Sequence, residues 1–313
     1  MNALAAERIS VNQMATDLSD SVVCSTTLGV RQCTRRVRLA RACVTAFVIA
    51  IATTRAGQIG AQGAATPPVV PGDEQTIACG ATGTATASGM MSVPFGVGEK
   101  MEYDVKFSAL KVGTGTMEVR DITDVRGRPS WHTALTIKGK QLFFFVDILI
   151  ESWFDTSSLI SRRFHQDQRY TGHSKSQTIE IFPERGMMKE DQLEERVTVA
   201  SPLDDGSLIY FARTLPFEVG KTYSLPCYFK PDANPIKIFV ARRETVKTPA
   251  GTFKTIVLQP KIKAAGIFGE KSKAEVYITD DSTRMMVKLT SDLTVGSINL
   301  FLRKYKVGDH LKP

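Results

Sequence analysis

The eight residues Lys100-Met101-Glu102-Tyr103-Asp104-Val105-Lys106-Phe107 decide how this chain is read. Apolar Met101, Tyr103, Val105 and Phe107 alternate with charged Lys100, Glu102, Asp104 and Lys106. Successive side chains of a strand point to opposite faces, so the stretch is a half-buried β-strand with one wet face. The same period returns in Trp131-x-Thr133-x-Leu135-x-Ile137, around Ile179 and Ile181, in Ile236-x-Ile238-x-Val240, in Ala274-x-Val276-x-Ile278, and from Met286 to Ser291. Turn signals rich in Gly, Pro and Asp separate these runs, at 126–130, 183–186, 231–235, 248–251 and 280–283. Strands about ten residues apart with such punctuation predict a mainly β fold rather than βαβ units. The expected architecture is a single antiparallel meander forming a curved sheet or half-barrel with one or two short helices. Asp204-Asp205-Gly206-Ser207 is a cap for a short helix from Leu208 to Leu215, stopped by Pro216, and 140–146 is a second candidate helical turn.

Outward from these strands the composition changes. Of 25 aromatic residues in 313, only Phe47 lies before residue 93, and the first 92 residues carry 12 charged side chains against 60 in the rest. One β core domain is expected at 93–308, behind a leader at 1–56 and a flexible linker at 57–92 made of Ala, Gly, Thr, Pro and Ser. Residues 309–313 are a tail. In the leader, Arg31, Arg35, Arg36, Arg38 and Arg41 precede an uncharged apolar run at 42–54, and small residues follow at Ala56, Ala61, Gly63 and Ala64. That order is a secretory signal, and the run is shorter than the roughly 20 residues a spanning helix needs. The residues before Arg31 exceed what such a signal needs, which points to a translation start further downstream. Neither Cys43 nor Cys79 stands where a lipidated cysteine would. Export to the periplasm or cell envelope is therefore the expected location. Cys24, Cys33 and Cys43 would leave with the signal, so Cys79 and Cys227 remain as an even pair in an oxidising compartment. A disulfide between them is predicted, because the linker has the reach, although nothing in the sequence fixes its geometry.

Catalytic signatures do not assemble. Gly220-Lys221-Thr222 lacks the earlier glycine of a phosphate loop, and Gly269-Glu270-Lys271-Ser272 breaks the Gly-Lys adjacency. No Gly-x-Ser-x-Gly elbow, Cys-x-x-Cys pair or His-Glu-x-x-His run is present. A hairpin pairing Tyr170 with His173 would set His165 opposite Thr178, too far from His173 to share a metal ion. Adjacent acids at Asp204-Asp205, Glu194-Glu195 and Asp280-Asp281 belong to turns or caps. No catalytic residue, metal ligand or cofactor is expected, and without interleaved aromatics the net charge of +8 gives no nucleic-acid surface.

Two features point to binding. Leu142, Phe143, Phe144, Phe145, Val146, Asp147, Ile148, Leu149 and Ile150 form an apolar run with one acid. The run is either a core plug where the sheet curls, or the lining or lid of a cavity for an acyl chain, with Leu142, Phe143, Phe144, Phe145, Val146, Ile148 and Ile150 as candidate ligand-lining residues. Lys261 with Lys263 and Lys271 with Lys273 are two apart, so each pair shares a strand face and is a candidate polyanion face. The plainer reading of those lysines is a solvated surface.

An internal echo links Pro94, Phe95, Val97 and Gly98 to Pro216, Phe217, Val219 and Gly220, which we take as one strand lead-in used twice. The ordered set Phe95, Val97-Gly98-Glu99, Tyr103-x-Val105, Gly113-x-Gly115, Leu208-x-Tyr210-x-x-Arg213 and Thr248-Pro249-Ala250-Gly251-Thr252-Phe253 resembles the bacterial family called domain of unknown function 3108. The resemblance covers about residues 93–308 and departs where a Trp is expected before the last strands, with Phe268 or Tyr277 nearby. It implies an exported, mostly β envelope protein and no activity; the family in turn resembles the curved half-barrel of outer-membrane lipoprotein carriers. The functional expectation is an exported, non-catalytic envelope protein that binds a hydrophobic or amphiphilic small molecule in a curved sheet. The alternative is a structural or scaffold envelope protein that contacts an anionic polymer, lipid or protein partner through a basic face.

Overall fold

The computed structural model describes residues 24–27, 30–33, 73–80, 90–141, 144–263, 268–269, 272–292 and 297–309. The chain divides into two compact units, Met1–Val70 and Pro71–Pro313. In the first, β1 (Cys24–Thr27) and β2 (Val30–Cys33) form an antiparallel hairpin; the apolar run of the leader lies outside the described residues. The tail beyond Asp309 does too.

In the second unit, β4 (Lys100–Phe107), β5 (Leu110–Asp124), β6 (Pro129–Gln141), β7 (Phe144–Asp155), β8 (Ser161–Tyr170), β9 (His173–Phe182), β10 (Met187–Glu190) and β11 (Arg196–Val197) pair in sequence order, each antiparallel to the next. After a crossover carrying helix α1 (Asp205–Ala212), a second run follows: β12 (Thr222–Leu225), β13 (Ile236–Thr248), β14 (Gly251–Lys261), β15 (Lys273–Thr279), β16 (Met286–Asp292) and β17 (Ser297–Lys306). β17 returns antiparallel beside β4 and joins both runs into one 15-stranded sheet, whose far edge is β3 (Glu74–Thr76), parallel to β12. The sheet is mainly β, open and curved, as the alternation predicts. Its division into two meanders is what the pattern could not show, because period two reports which face a residue takes and not which strand lies beside it.

Alternation places Met101, Tyr103 and Val105 of β4 inside, all buried, with Lys100, Glu102, Asp104 and Lys106 on the wetter face. The predicted β8–β9 register is the observed one: Tyr170 opposes His173 and His165 opposes Thr178, with their side chains 2.9 Å apart. The internal echo is structural. Gly98 N donates to Val119 O and Val119 N to Glu99 O, while Gly220 N donates to Val240 O and Val240 N to Lys221 O. Phe95 and Phe217 are buried beside these turns, and Gly98 and Gly220 both take a positive φ, at 82° and 90°. Each meander thus begins with the same turn.

Two expectations are corrected. Residues 73–80 and 90–91, assigned to the flexible linker, are built into the sheet unit. β3 pairs with β12 through main-chain groups that any sequence supplies, extended by a 3.0 Å bond from Ile77 N to Ser224 O, and Met91 is buried. An edge strand needs little apolar side chain, which is why its composition read as linker. Residues 140–141 and 144–146 are not helical but the end of β6 and the start of β7, because their backbone groups pair, Lys140 with Phe145 and Gln141 with Phe144.

Candidate functional site

Seven strand steps separate β7 from β14 in the sheet order. A flat sheet would hold them about 34 Å apart at ~4.8 Å per strand. Instead Val146 and Ile148 of β7, Ile137 of β6, Ile236 and Ile238 of β13 and Leu258 of β14 line one cavity of about 350 Å³, closed by Leu208, Ile209 and Ala212 of α1. The sheet therefore curls about the helix, and both meanders contribute walls. Among the described lining residues, Tyr170 alone carries a hydroxyl.

The helix is held at both ends. Its N-cap, Asp204, accepts bonds from Gly206 N at 2.8 Å and Ser207 N at 2.9 Å, and Ser152 Oγ of β7 donates to it at 2.7 Å. Asp204 N donates to Ser161 Oγ of β8 at 2.8 Å, and Ser161 meets Ser207 at 2.7 Å. A Cβ on Gly206 would come within 2.6 Å of Ser152 Cβ, so only glycine lets the helix approach β7 this closely. Burial pushes the Asp204 carboxyl up to about 6, against the hydrogen bonds from Ser207, Ser152 and Ser161 that favour its charge. Four polar side chains converge here, but they are spent on the cap and line neither the cavity nor the groove described below.

At the other end stands Arg213, fully buried against an equally buried Glu99. Nη1 donates to Oε1 at 2.6 Å and Nη2 to Oε2 at 2.8 Å, and Nη2 also reaches Pro94 O at 2.9 Å and Thr283 O at 2.8 Å. Burial opposes the charge of Arg213, but the Glu99 carboxylate outweighs it and holds its pKa above the ordinary value. The pair ties the first meander's lead-in, the helix end and the β15–β16 loop together. Tyr103 Oη adds a buried 2.9 Å bond to Met286 O, from β4 to β16. Cys79 and Cys227 form a disulfide with Cα atoms 6.2 Å apart, fastening the segment after β3 to the segment after β12.

The candidate lining run divides by alternation. Val146 and Ile148 line the cavity, and Ile150 packs on the core beside it. Phe145 faces the other way, 39% exposed, onto an open groove. Leu142 and Phe143 lie outside the described residues; Phe144 is placed only as backbone of β7. From Phe144 to Ile150 the run is a strand with one face in the hollow. In the candidate polyanion face, β14 ends at Lys261, whose Nζ donates to Ser272 O, and buried Ile262, which bridges Gly269 in parallel, stands between it and Lys263. Lys263 and Lys273 are exposed, and Lys271 lies outside the described residues. Among the described residues no three His, Cys, Asp or Glu side chains gather as a metal site. Sequence reasoning missed the helix face of Leu208, Ile209 and Ala212 as a cavity wall, although the run was recognised as helical. It also missed the Glu99–Arg213 pair, although both residues stand in the motifs quoted for the resemblance.

An open, curved, mainly antiparallel sheet wrapped on one helix around an apolar hollow defines the structural class. Within it, the chain belongs to the family of proteins of unknown function DUF3108, which matches residues 102–303. No curated protein sequence matches the chain. Among solved structures it is similar to a β-barrel-like protein of domain of unknown function DUF1849 from Brucella abortus, at 12% identity over 70% of this chain and 100% of that one, with a TM-score of 0.43. It is also similar to a protein described as a lipoprotein from Parabacteroides distasonis, at 9% identity over 69% of this chain and 99% of that one, TM-score 0.30. A protein described as exported, with a YmcC-like fold, from Bacteroides fragilis is 13% identical over 69% of this chain and 99% of that one, TM-score 0.26.

Proposed function

We propose that this is an exported, non-catalytic envelope protein that binds the apolar part of a hydrophobic or amphiphilic molecule inside its curled sheet. The cavity carries the reading. Protein interiors seldom hold voids larger than a water molecule. An apolar hollow of about 350 Å³ offers water no polar partner besides Tyr170 and leaves the walls without packing contacts on one side. Filled by an alkyl chain, the same walls regain those contacts, at about 0.8 kcal/mol per buried methylene. At ~30 Å³ for a group the size of water, the space takes roughly a dozen such units.

Export is supported by the arginine-led apolar run of the leader and by the Cys79–Cys227 disulfide, which persists in oxidising compartments. A binding role is favoured by the cavity wall, whose described residues are apolar apart from Tyr170. Titration of the delipidated protein with 1-dodecanol, followed by calorimetry, tests the reading. Saturable binding of one molecule per chain, with a negative heat-capacity change, is expected; no saturable binding of dodecanol or of any other twelve-carbon chain refutes it.

A further inference from the structure

The ladder between β5 and β6 ends at the pair Gly113 and Gly139. Beyond it, Leu110 and Lys111 pair with β4, whereas Lys140 and Gln141 pair with β7. The two hairpins part there, and an open groove of about 500 Å³ lies in the notch. Val112 and Val146 line both this groove and the apolar cavity, so the two spaces meet at this pair of valines.

The groove is charged. Among the described residues, Lys111, Lys138 and Lys140 line it with a single acid, Asp147. Asp147 already faces Lys138 across the ladder and Arg169 at 3.9 Å, and Lys111 is bonded to Asp104 at 2.7 Å. Lys138 and Lys140, two apart on β6, point the same way, are exposed, and meet no carboxylate within ion-pair distance among the described residues. Phe145 and the two valines give the groove an apolar floor beside these ammonium groups.

Given the cavity reading above, on which this rests, we propose that the groove seats the anionic head of a single-chain amphiphile, a fatty carboxylate or an alkyl phosphate, whose tail fills the cavity. A tail in the hollow brings its head out past Val112 and Val146, where the nearest partners are lysines. An anionic head gains there, a neutral one gains only tail burial, and a cationic head is repelled.

Calorimetric titration of the full chain with dodecanoate, dodecyl phosphate, 1-dodecanol and dodecyltrimethylammonium tests the assignment. Both anions should bind about tenfold tighter than the alcohol at low salt, and the cation weakest; the order of the two anions tells which head the lysines favour. The double variant K138E/K140E should lose the preference for anions while still binding dodecanol. The distant reversal K247E/K254E, which changes net charge equally, should keep it. Equal affinity for all four heads, or a preference untouched by K138E/K140E, overturns the proposal while the cavity stands. Failure of every probe to bind overturns the cavity reading itself.

Discussion

At the residue scale, the two buried charged groups that hold α1 behave differently. Glu99 and Arg213 are a matched pair without solvent, and removing one partner of such a pair costs about 3–5 kcal/mol. Glu99→Met and Arg213→Met should each cost that much in denaturant unfolding, and the double variant should be no less stable than either single one, because it strands no charge. A double variant whose loss equals the sum of the singles would show that the pair is not coupled. Asp204 is a lone acid whose folded pKa lies near 6, above the ordinary 3.8. Its contribution to stability is complete below about pH 4 and is lost as pH rises through about 6, a fall of up to about 3 kcal/mol. Asp204→Asn keeps an acceptor for Gly206 and Ser207 and removes the titration, so stability of the variant should be flatter between pH 4 and 7; parallel curves would contradict this. The sequence named Asp204 as a cap, since Asp-Asp-Gly-Ser ahead of an apolar run carries that signal. Its burial was not legible, because burial depends on Ser152 and Ser161 from distant strands.

At the scale of elements, β7 shows how far a pattern reaches. Its run of apolar residues was visible at once, but an unbroken run gives no period, so strand, helix and plug looked alike until pairing with β6 fixed the alternation. The alternation is testable: Ile148→Trp should abolish binding of a twelve-carbon chain by filling the hollow, and Leu149→Thr, one residue on and facing outward, should leave it within about twofold. Equal effects would mean that β7 does not present its even-numbered face to the ligand. The edge strand β3 escaped sequence reading for the opposite reason, since its ladder with β12 is made by backbone groups and its one side-chain tie, Glu74 to Lys237, links residues far apart in sequence. Its disulfide closes a loop with a sequence separation of 148 residues, for which chain entropy gives about 5 kcal/mol. Cys79→Ser/Cys227→Ser should therefore unfold at lower denaturant than the oxidised protein and be insensitive to reductant; coincident curves would rule that out.

At the scale of the whole molecule, the cavity exists because β17 returns to β4 and the joined sheet curls until β7 and β14 face one another. Strands and turns were legible residue by residue, whereas this closure links segments with no common pattern beyond the repeated Phe-x-Val-Gly lead-in. That is why the fold class could be read and the cavity walls on β13, β14 and α1 could not. The most direct measurement is native mass spectrometry of the protein purified without detergent and then titrated with dodecanoate. One bound amphiphile per chain, absent from Ile148→Trp, is predicted. A wild-type protein that keeps its bare mass throughout the titration would contradict the account.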